Sequence, residues 1–387
     1  MRYKIINKKK LYATALADLI GSVVFLPKFL LRKNEKISPK EIRSILVIRT
    51  AYIGDAIMTL PVLRPLRERF TKAKISFLTS AGAADLIANN PWLDEVIAYD
   101  PFWFYQSEKG TYLDFINNMR KRYFDLVIEA RGDIREFLFI LWPLKARYKV
   151  SYSIGGGGYF LTHIVPYRGL KHKVEYHLDI ARHLGCSAEG AEWGIYLTED
   201  EKKGIRDLIN SAGIRKPFVC VHPGARLPLK MWMPERYALL CDGIIKRFSL
   251  PVVLLGASGE IKAIDDIIRH MEDKPVSLAG RLSLRELAGV IAESSLLICN
   301  DSSPMHIAAA MKTPVVAIFG PSKSRETAPY GNVNRVVEKD FPCRYSCDEN
   351  TCRHKRFHSC MREVSVDDVS NAVEDIIREL GDLHVQV

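Results

Sequence analysis

The chain has 387 residues, 48% of them apolar and 26% charged, which allows two domains with sizeable buried cores and excludes a fibrous or disordered protein. Its formal charge of +11 is local: residues 1–40 hold ten Lys and Arg against Asp18 and Glu35, a net +8 that leaves only +3 for the rest. A nucleic-acid binder spreads its basic residues over a folded face, so the terminal excess argues against nucleic acid as a partner and fits an anionic membrane surface.

The first element is an apolar run at residues 11–31, broken by Asp18, Gly21, Pro27 and Lys28 and flanked by basic residues. A spanning helix needs about 20 apolar residues with few charges, and Asp18 stands near the middle. A signal peptide wants a small-residue cleavage site, and none precedes Pro27. An interfacial helix on an anionic leaflet is the reading preferred, with residues 1–40 as a membrane-associating segment.

From residue 42 onward short apolar runs alternate with longer helical ones. Strands are expected at 45–48, 75–78, 95–99, 126–129 and 148–151, the signature of a parallel sheet with helical crossovers. A charged helical stretch at 198–216 ends in Ala212-Gly213, and the alternation then restarts with strands at 218–222, 252–255, 276–278, 296–298 and 315–319. The boundary is placed within that stretch. Residues 41–205 form one domain and 206–364 a second, and a helix over 365–387 packs back on them. The fold class is α/β, two doubly wound Rossmann-like domains facing a central cleft, with ligands at the carboxyl ends of strands.

The loops at those strand ends carry the candidate chemistry. After the strand 45–48 comes Arg49-Thr50-Ala51-Tyr52-Ile53-Gly54-Asp55, which places a carboxylate at a helix start; the helix dipole alone also favours Asp there. After 218–222 come Pro223-Gly224 and then Lys230-Met231-Trp232, where Lys230 can clamp a phosphate as a point charge with Trp232 packed behind it. Gly256-Ala257-Ser258-Gly259-Glu260 is a tight turn ending in a carboxylate suited to a ribose hydroxyl pair. In Cys299-Asn300-Asp301-Ser302-Ser303-Pro304-Met305-His306 a strand runs straight into a helix start. With Ser303 as N-cap and Pro304 at the first helical position, the free N–H groups of the first turn face an anion, and Asp301, Ser302 and His306 line the same mouth. No full Gly-x-Gly-x-x-Gly is present, which disfavours a dinucleotide dehydrogenase.

In order and spacing together, these segments resemble glycosyltransferase family 9, the heptosyltransferases of lipopolysaccharide core assembly, over residues 42–369. The resemblance rests on Arg49-Thr50 with Gly54-Asp55, His222-Pro223-Gly224 with Lys230 and Trp232, Gly256 with Glu260, Asp301-Ser302-Ser303 with His306, and Phe319-Gly320-Pro321. It implies the GT-B fold, an acceptor-binding N-terminal half, a nucleotide-sugar-binding C-terminal half, and no required cofactor. It implies an inverting transfer of heptose from ADP-heptose to a lipopolysaccharide inner-core acceptor, with Asp55 as general base. Lys230 would hold donor phosphate, Glu260 the ribose and Asp301 the heptose hydroxyls. Ser302, Ser303 and the helix behind them would take the diphosphate, with His306 beside it. A cytoplasmic protein peripherally attached to the inner membrane is the matching expectation. Two alternatives stay open: a family 9 transferase of another nucleotide sugar, hexose or N-acetylhexosamine, and an inert nucleotide-sugar-binding partner of a glycan assembly complex.

On the acceptor side, Arg131 and Arg135 follow the strand ending at Glu129 and would join Thr50 and Gly54 in meeting carboxylates or phosphates, which Arg binds in bidentate fashion. An ion pair of Asp133 with Arg135 explains the same pattern. Glycines 155–158 mark a flexible loop. Cys343, Cys347, Cys352 and Cys360, with His354 and His358 among them, permit a structural metal, but without a Cys-x2-Cys knuckle packing or redox pairing of the thiols is preferred.

Overall fold

In a computed structural model, residues 8–24, 36–105, 109–190, 192–331, 333–347 and 349–385 are described. The chain divides into two units, Met1–Trp193 and Gly194–Val387. Each is built round one parallel sheet, because its strands are continuous apolar runs that only a sheet covered on both faces can bury.

In the first unit β1 (Ser44–Arg49), β2 (Lys74–Thr79), β3 (Glu95–Ala98), β4 (Tyr123–Glu129), β5 (Lys145–Ser151) and β6 (His163–Ile164) lie in the order β3-β2-β1-β4-β5-β6. In the second unit β7 (Val219–His222), β8 (Val252–Leu254), β9 (Val276–Ser277), β10 (Leu296–Asn300), β11 (Val315–Phe319) and β12 (Asn334–Glu338) lie in the order β12-β11-β10-β7-β8-β9. Counted from the first strand of each unit, the two orders are one doubly wound arrangement, and every pairing is parallel. The central strands are buried throughout: Ile45 to Ile48 in β1 and Leu297 to Cys299 in β10 are all 0% exposed.

The strand order reverses between β1 and β4 in one sheet, where Ile48 registers with Glu129, and between β7 and β10 in the other, where His222 registers with Cys299. At such a switch point the loops leaving neighbouring carboxyl ends diverge to opposite faces and leave a crevice. The loops after Arg49 and Glu129, and those after His222 and Asn300, are therefore where each unit is built to hold a ligand.

Several expectations need correction. The boundary falls at Trp193/Gly194 and not at 205/206. The helix Glu199–Ser211 belongs to the second unit: a Thr198–Glu201 capping box starts it, and Arg285 bonds both Glu201 and the Tyr196 carbonyl, which ties it to the helix Leu284–Glu293. β6 and β12 were not expected, the first being two residues long and the second an edge strand whose Asn334, Arg335 and Glu338 break the apolar run. The helix Val366–Val385 packs on β11, β12 and the helix Pro234–Phe248, and its Val369, Ala372, Val373 and Ile376 join the second unit's core.

At the N-terminus the helix Lys8–Val24 covers part of the apolar run, and residues 25–35 lie outside the described residues. Among the described residues no helix is long and apolar enough to cross a membrane. Glycines 155–158 are a built turn and not a slack loop. Gly157 N donates to Asp18 Oδ1 at 2.7 Å, and a Cβ on Gly155 would stand 2.5 Å from the Gly132 carbonyl oxygen.

Candidate active site

In the first unit, β1 delivers Arg49 to the switch point, and the chain turns through Tyr52, at φ +38°, into the helix Ile53–Thr59. A non-glycine residue in this region is strained, and tertiary contacts hold it: Tyr52 N donates to the Tyr105 hydroxyl at 2.9 Å. Asp55, in the first helical turn, has a largely buried side chain that meets Arg49 Nη2 at 2.8 Å and Lys173 Nζ at 3.2 Å. Burial alone would push this carboxyl up, but the charges of Arg49, Lys173 and Arg131 outweigh it and hold Asp55 ionised far below the usual carboxylate range.

Arg49 is itself enclosed. Among the described residues its Nε and Nη1 have no hydrogen-bond partner, and burial is offset by Asp55, Glu136 and Glu129, which keep its charge. Glu129, at the end of β4, accepts from Arg131 N at 3.1 Å, Gly132 N at 2.6 Å and Ser151 Oγ at 2.6 Å. Thr50 Oγ1 donates to Glu136. Burial first, and then the adjoining Glu136, push the Glu129 carboxyl well above its ordinary value. His177 is kept neutral, pushed down to about 3 by burial and by Arg49.

Of the two sequence readings of Arg131 and Arg135, the structure shows the ion pair with Asp133. Arg135 makes the bidentate pair with Asp133, at 3.0 and 2.7 Å, while Arg131 Nε lies 3.5 Å from the same carboxylate. Both guanidinium groups sit over the Phe104 ring, 4.6 Å (Arg131) and 4.5 Å (Arg135) from its centroid. Arg131 is close enough to Asp55 to contribute to its depressed pKa. Gly54 and Thr50 flank Asp55 on the turn.

In the second unit the loops after β7 and β10 meet. Asn300, fully buried at the end of β10, accepts from Trp232 N at 3.2 Å and the Tyr237 hydroxyl at 3.0 Å, and donates to the Pro223 carbonyl at 2.6 Å. Trp232 is a core residue, 2% exposed, with Nε1 donating to Val364 O at 3.0 Å. Lys230, on the turn Pro228–Lys230, reaches Asp301 Oδ2 at 2.7 Å and Glu349 Oε2 at 2.8 Å. Asp301 is buried, which would raise its pKa, but Lys230 holds it ionised.

The helix Ser303–Met311 starts here, one residue earlier than expected: Ser302 is the N-cap, with extended backbone, and Ser303 is the first helical residue. The Ser302 side chain caps nothing, and Ser302 and Ser303 are half-buried at the open end of the helix. His306 is buried one turn in and close enough to Asp301 to stabilise its charge. Glu260 ends the turn Ser258–Glu260, accepts from Ala257 N at 2.8 Å, and stands 3.5 Å from His222 Nε2. It lies so close to Gly224 that a Cβ there would sit 1.7 Å from Glu260 Oε1; only glycine lets this carboxylate reach the β7 loop.

All eight cysteines are free. Cys343, Cys347, Cys352 and Cys360 line a cavity of about 220 Å³ with His354 and His358. Among the described residues no three His, Cys, Asp or Glu side chains are placed to hold a metal ion. Instead the segment closes over the Lys230 turn: His358 Nε2 donates to the Leu229 carbonyl at 2.7 Å, alongside the Glu349 contact. Lys173, Glu136 and Glu349 are the residues that sequence reasoning missed here, and Arg49 and Asn300 stood in its motifs without a role of their own.

Two doubly wound units, each with charged loops at its switch point, make up the two-domain GT-B fold, shared with the solved structures below. The chain belongs to glycosyltransferase family 9 (heptosyltransferase), whose model matches residues 112–358. It is 28% identical over 347 residues to lipopolysaccharide heptosyltransferase 3 of Escherichia coli K12, covering 85% of this chain and 96% of that protein. Among solved structures, the family 9 glycosyl transferase of Veillonella parvula aligns with a TM-score of 0.77 at 22% identity, covering 89% of this chain and 100% of the other. The E. coli ADP-heptose lipopolysaccharide heptosyltransferase II aligns with a TM-score of 0.69 at 22% identity, covering 87% and 99%.

Proposed function

We propose that the protein transfers heptose with inversion from ADP-heptose to an inner-core lipopolysaccharide acceptor, the first unit holding the acceptor and the second the donor. The observation that carries the reading is Asp55, an ionised carboxylate at the β1 switch point gripped by Arg49 and Lys173. A protein that only bound nucleotide sugar would need the donor loops and not this carboxylate. Likeness over nearly the full length of a lipopolysaccharide heptosyltransferase supports the substrate class.

In the reaction the acceptor hydroxyl attacks the anomeric carbon while charge builds on the departing ADP. Asp55 takes the hydroxyl proton. Its low proton affinity makes that transfer late, when the new C–O bond has already acidified the hydroxyl, and its charge favours an oxocarbenium-like centre. Arg131 and Arg135, with Thr50 and Gly54, hold anionic groups of the acceptor. Lys230 and the N–H groups at the start of the helix Ser303–Met311 take the diphosphate with Ser302, Ser303 and His306. Glu260 binds the ribose, and Asp301 the sugar hydroxyls. These side chains account for the base and for the leaving-group charge without a cofactor. The acceptor is lipid-borne, which sets the reaction on the anionic cytoplasmic face of the inner membrane, and the basic residues of 1–40 support this placement.

Titration calorimetry with ADP, UDP, GDP and ADP-heptose tests the reading. Preference for ADP and tighter binding of ADP-heptose are expected. Preference for UDP or GDP would move the function to a hexose or N-acetylhexosamine, and absence of binding would leave an inert partner.

A further inference from the structure

The helix Lys8–Val24 is turned the wrong way round for water. Its contact face is Leu11, Thr14, Asp18 and Gly21. Asp18 is 4% exposed and accepts from Gly157 N, and Gly21 lies so near Tyr159 that a Cβ would stand 2.3 Å from its ring. The opposite face presents Tyr12, Leu16, Leu19, Ile20 and Val23, each 57–72% exposed. A helix that faces water buries its apolar stripe and shows its carboxylate. Here the carboxylate is inside and the stripe outside, an arrangement that requires a cover.

Charge identifies the cover. Lys8, Lys9 and Lys10 begin the helix, and Arg2, Lys4, Lys28, Arg32 and Lys33 flank it in sequence, while Asp18, the one acidic residue before Glu35, is already bonded. An apolar protein face has no use for so cationic a flanking sequence; anionic headgroups over acyl chains do.

We propose that this helix docks on an anionic lipid bilayer with Tyr12, Leu16, Leu19, Ile20 and Val23 at the acyl boundary, and that Asp18 latches it to the 155–158 turn. The turn abuts the Gly132 carbonyl, and Gly132 N is held by Glu129, so the latch reaches the loop that carries Arg131. Lipid docking thereby fixes the acceptor loop above the headgroups. The proposal deepens the membrane placement given above, but its tests do not depend on heptose transfer.

The full chain is sedimented with phosphatidylglycerol-containing and with pure phosphatidylcholine vesicles. Wild type partitions about 10- to 100-fold more strongly to the anionic vesicles, as a few interfacial cations supply. L16E/I20E, at two exposed positions, loses that binding while its ADP affinity stays unchanged, which shows that the fold survives. Equal binding by the variant, no binding by wild type, or a wild-type dimer that L16E/I20E splits in sedimentation velocity would overturn the docking. For the latch, hydrogen exchange is followed at Gly157 and across residues 130–133. Vesicles slow exchange there in wild type and in D18N, which keeps an acceptor oxygen, and not in D18A. The same slowing in D18A would overturn the latch.

Discussion

Replacing Asp55 by Asn removes one charge and keeps the shape. The carboxylate is the direct partner of Arg49 at 2.8 Å, and Arg49 is only 4% exposed. Removing one partner of a buried ion pair costs about 3–5 kcal/mol. Lys173 is 35% exposed and returns to water at little cost. Glu136 and Glu129 still face Arg49, which brings the expected loss to the lower end, about 3 kcal/mol. At about 2–4 °C per kcal/mol for a unit of this size, the first unit melts about 6–12 °C earlier. The sign with pH follows from the depressed carboxyl. Its contribution is complete above the ordinary carboxylate pKa and is lost as pH falls toward the folded value, so the gap between D55N and wild type is full at neutral pH and closes in acid. Loss of the base lowers turnover by about 10²–10⁴, while ADP affinity, which belongs to the other unit, is unchanged. Scanning calorimetry and an ADP-release assay at saturating acceptor measure both effects. Turnover within about tenfold of wild type would falsify the base assignment, and an unshifted melting point would refute the pairing argument.

Lys230→Ala leaves buried Asp301 beside Glu349 without a cation, and ADP binding in titration calorimetry weakens about 10- to 100-fold, the worth of one charge-assisted contact; unchanged affinity sinks the phosphate role. Gly224→Ala drives a methyl into Glu260, so ADP binding falls while inorganic pyrophosphate binding holds, and equal loss of both would show damage to the loop instead of the ribose contact. Glu136→Gln keeps an oxygen for Thr50 and removes the repulsion that raises Glu129. Wild-type stability falls as pH rises from the ordinary carboxylate pKa toward the raised one, because only the folded chain keeps the proton there. The Gln variant flattens that slope in denaturant titrations, and an identical slope would refute the part that Glu136 plays in raising Glu129.

The sheets were legible because buried parallel strands are written as unbroken apolar runs, as in Ile45-Leu46-Val47-Ile48 and Val315-Val316-Ala317-Ile318-Phe319. β12 was illegible because an edge strand tolerates Arg335 and Glu338. In the second unit, Lys230, Glu260 and Asp301 stood out because each lies in a loop that follows a strand. Their pairing did not: Lys230 and Asp301 are 71 positions apart. Lys173, 118 positions from Asp55, reads in sequence as an ordinary first-turn lysine after His172, and only the sheet's winding brings it to the carboxylate. Glu129 and Glu136 sit within one short segment, yet a strand end followed by a turn gives no hint that both carboxylates face inward.

Lys230 already has two resident carboxylates, Asp301 and Glu349, before any nucleotide arrives. On the reading proposed above, a diphosphate does not add to a bare cation; it changes places with Glu349, and the amine trades one anion for another. Such an exchange offsets part of the incoming diphosphate charge by the carboxylate that leaves, so donor affinity depends on ionic strength more shallowly than a naked lysine would dictate. The displaced Glu349 belongs to the cysteine-rich segment, which also grips Leu229 through His358. On that reading, occupancy of the phosphate position is felt by the cysteine-rich segment through Glu349.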